Sequence, residues 1–143
     1  MPTTLITHSA AIGLGVMSLE LANNVNSIDS LILIDFEDET PKLDFNHLNV
    51  LANVPISKLD QINELLRKLI RQDDRKFLYI ERSRGLAKKT PFHRNYIIPM
   101  WEQEPFFSEM VLHKNIICIT SRTKKYVDSF GFSSISLPLS LIH

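Results

Sequence analysis

The sequence predicts an α/β domain of three layers, in which helices cover both faces of a mostly parallel sheet of five or six strands. Short apolar runs of strand character alternate with longer segments whose apolar residues recur every three or four positions. Four aliphatic residues in succession, 31–34, precede Asp35, as in a parallel strand covered on both faces. The length of 143 residues suits one domain that spans residues 1–143.

The N-terminal part predicts a strand, a turn and a helix. The strand, residues 5–7, either stops at His8 with Ser9 capping the helix, or continues to Ile12 and turns at the two glycines that follow. In both versions one helical face carries Leu14, Met17, Leu21 and Val25.

The same patterns predict the remaining elements. The predicted strands are residues 49–54, 76–80, 116–119 and 134–137, and the predicted helices are residues 58–72, 104–113 and a short one ending near Gly131. Thr120, Ser121 and Thr123 are candidate caps of that last helix.

Composition narrows the class of protein. Lys and Arg together number 16, as do Asp and Glu, so the overall charge favours neither nucleic acid nor an anionic membrane. The chain has one cysteine, Cys118, which excludes an internal disulfide and suits a reducing compartment. There is no apolar run of membrane-spanning length and no signal-peptide pattern. We therefore expect a cytoplasmic protein without membrane contact.

Glycines and an acid predict a nucleotide site. Gly13 and Gly15 follow the first strand, and Asp35 ends the second strand about 20 residues later. Glycines let backbone approach a pyrophosphate, and the acid is placed to bind a ribose hydroxyl. The alternative is that Asp35 is an ordinary exposed acid beside residues 37–39.

Beyond this pattern, residues 3–122 resemble the short-chain dehydrogenase/reductases. Residues 5–7, the turn Gly13-Leu14-Gly15 and residues 19–22 are similar to that family's first strand, glycine turn and first helix. KFLYIERSRG resembles its fourth strand and the turn after it, which places Gly85 in that turn, and IICITS resembles the fifth strand, which ends at a catalytic serine, here Ser121. The resemblance implies binding of NAD or NADP through Gly13, Gly15, Asp35, Gly85 and Ser121.

The chain departs from that family at the positions that bind the cofactor and carry out catalysis. His8 stands where the family has its first glycine, and Tyr126 is not followed by the lysine that lowers the pKa of the family's tyrosine. We therefore expect a structural or interaction module with no catalytic residue and no bound cofactor. The alternative is a protein that binds NAD or NADP, or an oxidoreductase.

A basic segment follows the fourth predicted strand, at the edge of the sheet where anions bind. Its cations are Arg82, Arg84, Lys88, Lys89 and Arg94. They predict a site for phosphate, nucleic acid or an acidic protein surface, unless the segment is a solvated loop. The five histidines show no metal-ligand spacing, so we expect no metal site.

The C-terminal part predicts association. A last strand at residues 134–137 leaves an open sheet edge, and the tail after it carries Leu139, Leu141 and Ile142. We expect a homodimer or a complex with another protein, with residues 101–107 or the tail at the contact. The alternative is that the tail folds back over its own sheet.

Overall fold

All the described strands belong to one sheet. The structure is a computed structural model that describes residues 2–100 and 107–137. All described strands are parallel and follow the order β3-β2-β1-β4-β5-β6-β7. The order reverses between β1 and β4, as in doubly wound α/β sheets.

The strands are short, as is usual in α/β domains. Their bounds are β1 Thr3–His8, β2 Ile28–Asp35, β3 Val50–Pro55, β4 Lys76–Ile80, β5 Asn95–Ile98, β6 Asn115–Cys118 and β7 Ser134–Ser136. The helices are α1 Gly13–Asn24, α2 Asn63–Gln72, α3 Phe107–Met110 and α4 Ser121–Ser129, with 3-10 turns at Ile56–Ile62, Leu86–Lys89 and Phe92–Arg94.

The predicted α/β class and parallel sheet are confirmed, but the predicted number of strands is wrong. The described residues form seven strands instead of five or six. The additional strand is β5, which has only four residues between a 3-10 turn and Pro99. So short a run, next to a basic segment, gives no clear period in the sequence.

Several predicted element bounds also differ. The helix predicted over residues 58–72 begins as a 3-10 turn, with non-helical backbone at Lys58, and is α-helical only from Asn63. Of the helix predicted over residues 104–113, the described part contains α3 alone, and residues 104–106 lie outside the described ranges. Ser9 does not cap α1, which begins after Ile12 without a side-chain cap.

Helices cover both faces of the sheet. One face carries Ile6, Ile32, Phe77, Tyr79 and Ile97 and packs against α2, α3 and α4. The opposite face carries Leu5, Leu31, Leu33, Leu78 and Ile98 and packs against α1 and residues 43–48. Alternate residues of each strand point to opposite faces, which explains why both sets are apolar.

A buried arginine ties together the amino ends of the central strands. The Arg75 guanidinium donates to Thr4 Oγ1 (2.9 Å), Asp29 Oδ1 (3.1 Å) and Ser30 Oγ (3.2 Å), and forms two bonds to the Asp73 carboxylate. Those bonds lower the pKa of Asp73. Because the guanidinium is buried, its bonds to two carboxylates and two hydroxyls offset the cost of burying its charge.

Among the described helices, none has both the length and the apolar character needed to cross a membrane.

Candidate functional site

The candidate site lies at the carboxyl ends of β1, β2 and β4, where the strand order reverses. Open α/β sheets bind their ligands at this place. In the described chain, all non-glycine residues with positive φ follow these strands: Glu37 (61°), Glu81 (67°) and Arg84 (51°). Such backbone is unfavourable for residues with a Cβ, and it concentrates where the surrounding structure needs it.

The two predicted glycines have different surroundings. A Cβ added to Gly15 would lie 1.9 Å from the Ala10 carbonyl oxygen, whereas a Cβ on Gly13 would meet nothing within 4 Å. Gly15 therefore lets α1 pack closely against the turn that precedes it. This is a contact within the chain, and it needs no ligand to explain it.

The connection between β2 and β3 forms backbone hydrogen bonds with the turn that precedes α1. The Ala11 N–H donates to the Pro41 carbonyl (2.7 Å), and the Leu43 N–H donates to the Ser9 carbonyl (2.8 Å). Ala10 and Lys42 form an antiparallel bridge between these bonds. The backbone of residues 41–43 thus lies beside the glycine turn, on the side that faces the end of β2.

Asp35 is bound by its own chain. Lys42 Nζ donates to one carboxylate oxygen (2.6 Å) and the Glu37 N–H donates to the other (2.9 Å). Both hydrogen bonds lower the pKa of Asp35, and the bond from Lys42 has the larger effect. Glu37 in turn accepts from the N–H and hydroxyl of Ser57. Any ribose that reached Asp35 would have to displace Lys42 or share the carboxylate with it.

His8 is buried at the end of β1 with no hydrogen-bond partner. Its side chain is about 1% exposed, and neither ring nitrogen has a partner among the described residues. The ring centroid lies 4.7 Å from that of Phe36, and the Arg84 guanidinium lies 5.1 Å from the Phe36 centroid. Burial, and then the charge of Arg84, lower the pKa of His8 to about 4. The imidazole is therefore neutral at pH 7, with one N–H donor and one acceptor both unused.

A second polar cluster anchors the turn after β4 to α3. The Ser83 N–H and hydroxyl both donate to the Glu109 carboxylate (2.8 Å each), and His113 Nε2 lies 2.7 Å from the same group. Burial raises the pKa of Glu109, but the hydrogen bonds of His113 and Ser83 outweigh it and the net shift is downward. Because the serine contacts the carboxylate and not the imidazole, the cluster lacks the nucleophile–base contact of a hydrolase.

Sequence reasoning missed both clusters. Glu109 and His113 are spaced four apart, which is a signal for a helical pair, but their contact with Ser83 joins segments that are distant in the chain. The sequence analysis singled out His8 only because it stands where the resembled family has its first glycine, and it did not predict the contact with Phe36.

One member of the predicted basic segment, Arg94, lies apart from the candidate site, and the other four have different surroundings. Arg84 lies at the candidate site, Arg82 pairs with Glu81 (3.2 Å), and Lys89 donates to Asn63 (2.6 Å). Lys88 is exposed. Arg94 precedes β5 at the opposite edge of the sheet, where it donates to the Ile70 and Asp73 carbonyls.

The other predicted residues lie in separate places. Gly85 has φ of +84° and precedes the 3-10 turn Leu86–Lys89, which explains the glycine without a ligand. Ser121 is the exposed first residue of α4. Tyr126 stacks edge-on against Phe130 at 5.1 Å, and Phe130 occupies the position one helical turn later. Among the described residues no group of three or more His, Cys, Asp or Glu is placed to hold a metal ion.

Comparison with known proteins adds no relative: no family model matches the chain, and no curated protein or solved structure shows significant similarity to it.

Proposed function

We propose that this chain is a non-catalytic Rossmann-like module, resembling the front part of a short-chain dehydrogenase/reductase, that works by binding another protein chain. The observation that carries the proposal is the backbone pairing of residues 41–43 with the glycine turn. In the Rossmann arrangement a dinucleotide needs the space between this turn and the acid after β2. Here that space holds Pro41 and Lys42, and Lys42 neutralises Asp35.

The surroundings of Tyr126 support the non-catalytic part of the proposal. In the family that the chain resembles, a lysine one helical turn after the tyrosine lowers the tyrosine's pKa and holds the nicotinamide ribose. Phe130 stands at that position, and its ring packs against Tyr126. Tyr126 therefore lacks the lysine that assists proton transfer in that family.

An exposed aromatic cluster supports the protein-binding part. Phe107 and Phe130 are 55% and 44% exposed, and their rings meet edge to face at 6.1 Å. Phe132 lies 5.2 Å from Phe107. Clusters of exposed aromatic rings are typical of the central contacts in protein interfaces. Residues 101–106, which were predicted to join this contact, lie outside the described ranges.

Calorimetric titration with NAD and NADP tests the non-catalytic part. We expect no saturable heat at millimolar nucleotide and no turnover of carbonyl substrates with the reduced forms. Micromolar binding that Asp35→Ala weakens would contradict the proposal and favour an oxidoreductase or a nucleotide-binding protein.

Light scattering at micromolar concentration tests the protein-binding part. We expect a mass above that of the monomer, which falls to the monomer mass in the double variant Phe107→Ser and Phe130→Ser. The matched control is Phe92→Ser, since Phe92 is 53% exposed but lies outside the cluster. A monomeric mass for the unaltered protein would exclude self-association, and a mass unchanged in the double variant would exclude the aromatic cluster as the contact.

A second candidate function is binding of a nucleotide or another anion at the candidate site. The unpaired ring nitrogens of His8 favour it, because a buried polar group without a partner is costly unless a ligand satisfies it. Titration with inorganic phosphate and with ATP tests it. Saturable binding that His8→Phe removes would support this function, and the absence of heat would exclude it.

Nucleic-acid binding through the predicted basic segment has less support, since Arg94 donates to the Ile70 and Asp73 carbonyls, away from the candidate site. Such binding would weaken steeply with rising salt.

A further inference from the structure

A pocket lined by charged side chains lies where β4 and β5 begin. It has a volume of about 320 Å³, and its lining residues are Asp74, Lys76, His93, Arg94 and Tyr96. The first two lie at the start of β4, and the other three at the start of β5. Because the strands are parallel, this pocket and the candidate site lie at opposite ends of the sheet.

The pairing of β4 with β5 brings two cations together. Phe77 pairs with Asn95, so Lys76 and Arg94 each come directly before a paired residue. Neighbouring strands in a sheet are about 4.8 Å apart. The lysine and arginine side chains therefore start from adjacent positions on two strands.

Lys76 has no acidic partner among the described residues. Its ammonium lies 5.1 Å from the centroid of the Tyr96 ring, and no described carboxylate or hydrogen-bond acceptor contacts it. The Tyr96 ring packs with the α1-side cluster, while its hydroxyl has no partner in the described part of the chain. The ring thus holds the ammonium at the pocket and leaves the donors of both side chains unused.

Arg94 is held in place by the end of α2. Its Nη1 donates to the Ile70 carbonyl (3.1 Å) and the Asp73 carbonyl (3.2 Å), and its side chain is only 17% exposed. Its Nη2 lies 3.6 Å from the Asp74 carboxylate, which is 85% exposed. An ion pair this long and this exposed is weak, so a bound anion can compete with Asp74 for the ordered guanidinium.

The charges around the pocket favour an anion. Lys76 and Arg94 supply two positive charges, and Asp74 supplies one negative charge. The neighbouring carboxylate, that of Asp73, is paired with Arg75 at 2.9 Å. One positive charge is therefore left without a partner in the lining.

We propose that this pocket binds the phosphate group of a small phosphate monoester. The ammonium of Lys76, the guanidinium of Arg94 and the hydroxyl of Tyr96 would donate to it, and the exposed His93 ring adds a further donor at the rim. A phosphate group offers three terminal oxygens in different directions, which suits donors from two strands better than a planar carboxylate does.

The size of the pocket restricts the ligand. Its volume is at the lower end of the range for small-molecule sites, so it suits an ester of a few carbons and is too small for a dinucleotide. The proposal goes beyond the proposed function, since it assigns a ligand to the amino ends of the strands. The aromatic cluster remains available for partners, and the predicted contact at residues 138–143 lies outside the described ranges.

An NMR titration of the isotope-labelled full chain with inorganic phosphate and with glycerol phosphate tests the proposal. We expect saturable shifts at the amides of residues 74–77 and 93–96, with the ester bound at least as tightly as free phosphate. Shifts that saturate with neither probe at millimolar concentration would overturn the proposal. Saturation with free phosphate alone would overturn the assignment to an ester, and equal affinity for acetate would overturn the assignment to phosphate.

Three variants locate the binding. Lys76→Met removes the ammonium but keeps an unbranched side chain, and we expect it to weaken binding by about tenfold. Tyr96→Phe removes only the hydroxyl and should weaken binding by about threefold. Lys88→Met is the matched control for the loss of one positive charge, because Lys88 is exposed and follows β4 at the other end of the sheet. Equal losses in the two lysine variants would contradict the proposal.

His8→Phe separates this pocket from the candidate site. His8 ends β1 at the carboxyl edge of the sheet, so its substitution should leave binding at the pocket unchanged. Phosphate binding that His8→Phe removes and Lys76→Met preserves would overturn this proposal and support the candidate site instead. The protein-binding proposal is tested by the mass of the Phe107 and Phe130 variant, so the two can fail separately.

Discussion

Gly15 is the residue whose side chain is most tightly restricted by the fold. A Cβ at this position would lie 1.9 Å from the Ala10 carbonyl oxygen, which is backbone and cannot rotate away. Gly15→Ala must therefore shift α1 or the turn before it, and we expect it to lower the free energy of unfolding by about 1–3 kcal/mol, the usual range for overpacking. Urea denaturation measures this change.

Gly13→Ala is the matched control for that variant. Gly13 opens the same helix, and a Cβ there would meet nothing within 4 Å. We expect the substitution to be neutral or to stabilise by up to about 1 kcal/mol, because alanine has less backbone freedom to lose on folding. If both variants were equally destabilised, the close approach at Ala10 would not be the reason for the glycine.

His8 makes stability depend on pH. Its pKa in the folded protein is about 4, against an ordinary value of 6.5. Between these values the unfolded chain binds a proton that the folded chain does not, so stability is full above pH 6.5 and falls as the pH drops towards 4. We expect the urea midpoint to be lower at pH 5 than at pH 7.5, with His8→Phe reducing that difference.

His8→Asn separates titration from polarity at this site. Asparagine does not titrate, so it too should reduce the pH difference, but it leaves a buried polar group without a partner. At pH 7.5 we therefore expect His8→Phe to be more stable than His8→Asn by about 1–3 kcal/mol. A pH difference that survives in both variants would show that His8 is not its source.

At the scale of the element, the stability of α4 depends on its N-cap residue, Thr120. The Thr120 hydroxyl accepts from the Thr123 N–H (3.1 Å), as predicted from the sequence. Thr120→Ala should lower the free energy of unfolding by about 1 kcal/mol, the usual contribution of such a cap. Ser121→Ala is the control: Ser121 is exposed, and we expect its removal to change stability by less than about 0.5 kcal/mol. Equal losses in thermal or urea unfolding would contradict this assignment.

Elements marked by a clear pattern of apolar residues were predictable from the sequence. Elements whose structure depends on contacts with distant segments were not. The strand 76–80 was predicted with its observed bounds because four consecutive apolar or aromatic residues follow Lys76. β5 was missed, although its Asn95 is buried and donates to the Ala87, Thr90 and Leu112 carbonyls. An asparagine at the start of a short strand predicts a turn unless these partners are known.

At the scale of the whole molecule, the order of strands and helices was readable, but the contacts between distant segments were not. The alternating pattern predicted the parallel sheet and its central strands. It did not predict that Arg75 would join Thr4, Asp29 and Ser30, or that Arg84, Phe36 and His8 would stack. The candidate site consists mostly of contacts of this second kind. For that reason the glycines and Asp35 could not predict the contacts found there.

Of the described strands β1 is synthesised first, yet one of its two neighbours, β4, is made much later. Leu5 pairs with Leu31 of β2 on one side and with Leu78 of β4 on the other. Until β4 has left the exit tunnel, β1 presents a row of unpaired N–H and carbonyl groups beside fully apolar side chains, a surface prone to aggregation. We therefore expect the nascent chain to be prone to aggregation until synthesis has passed Ile80.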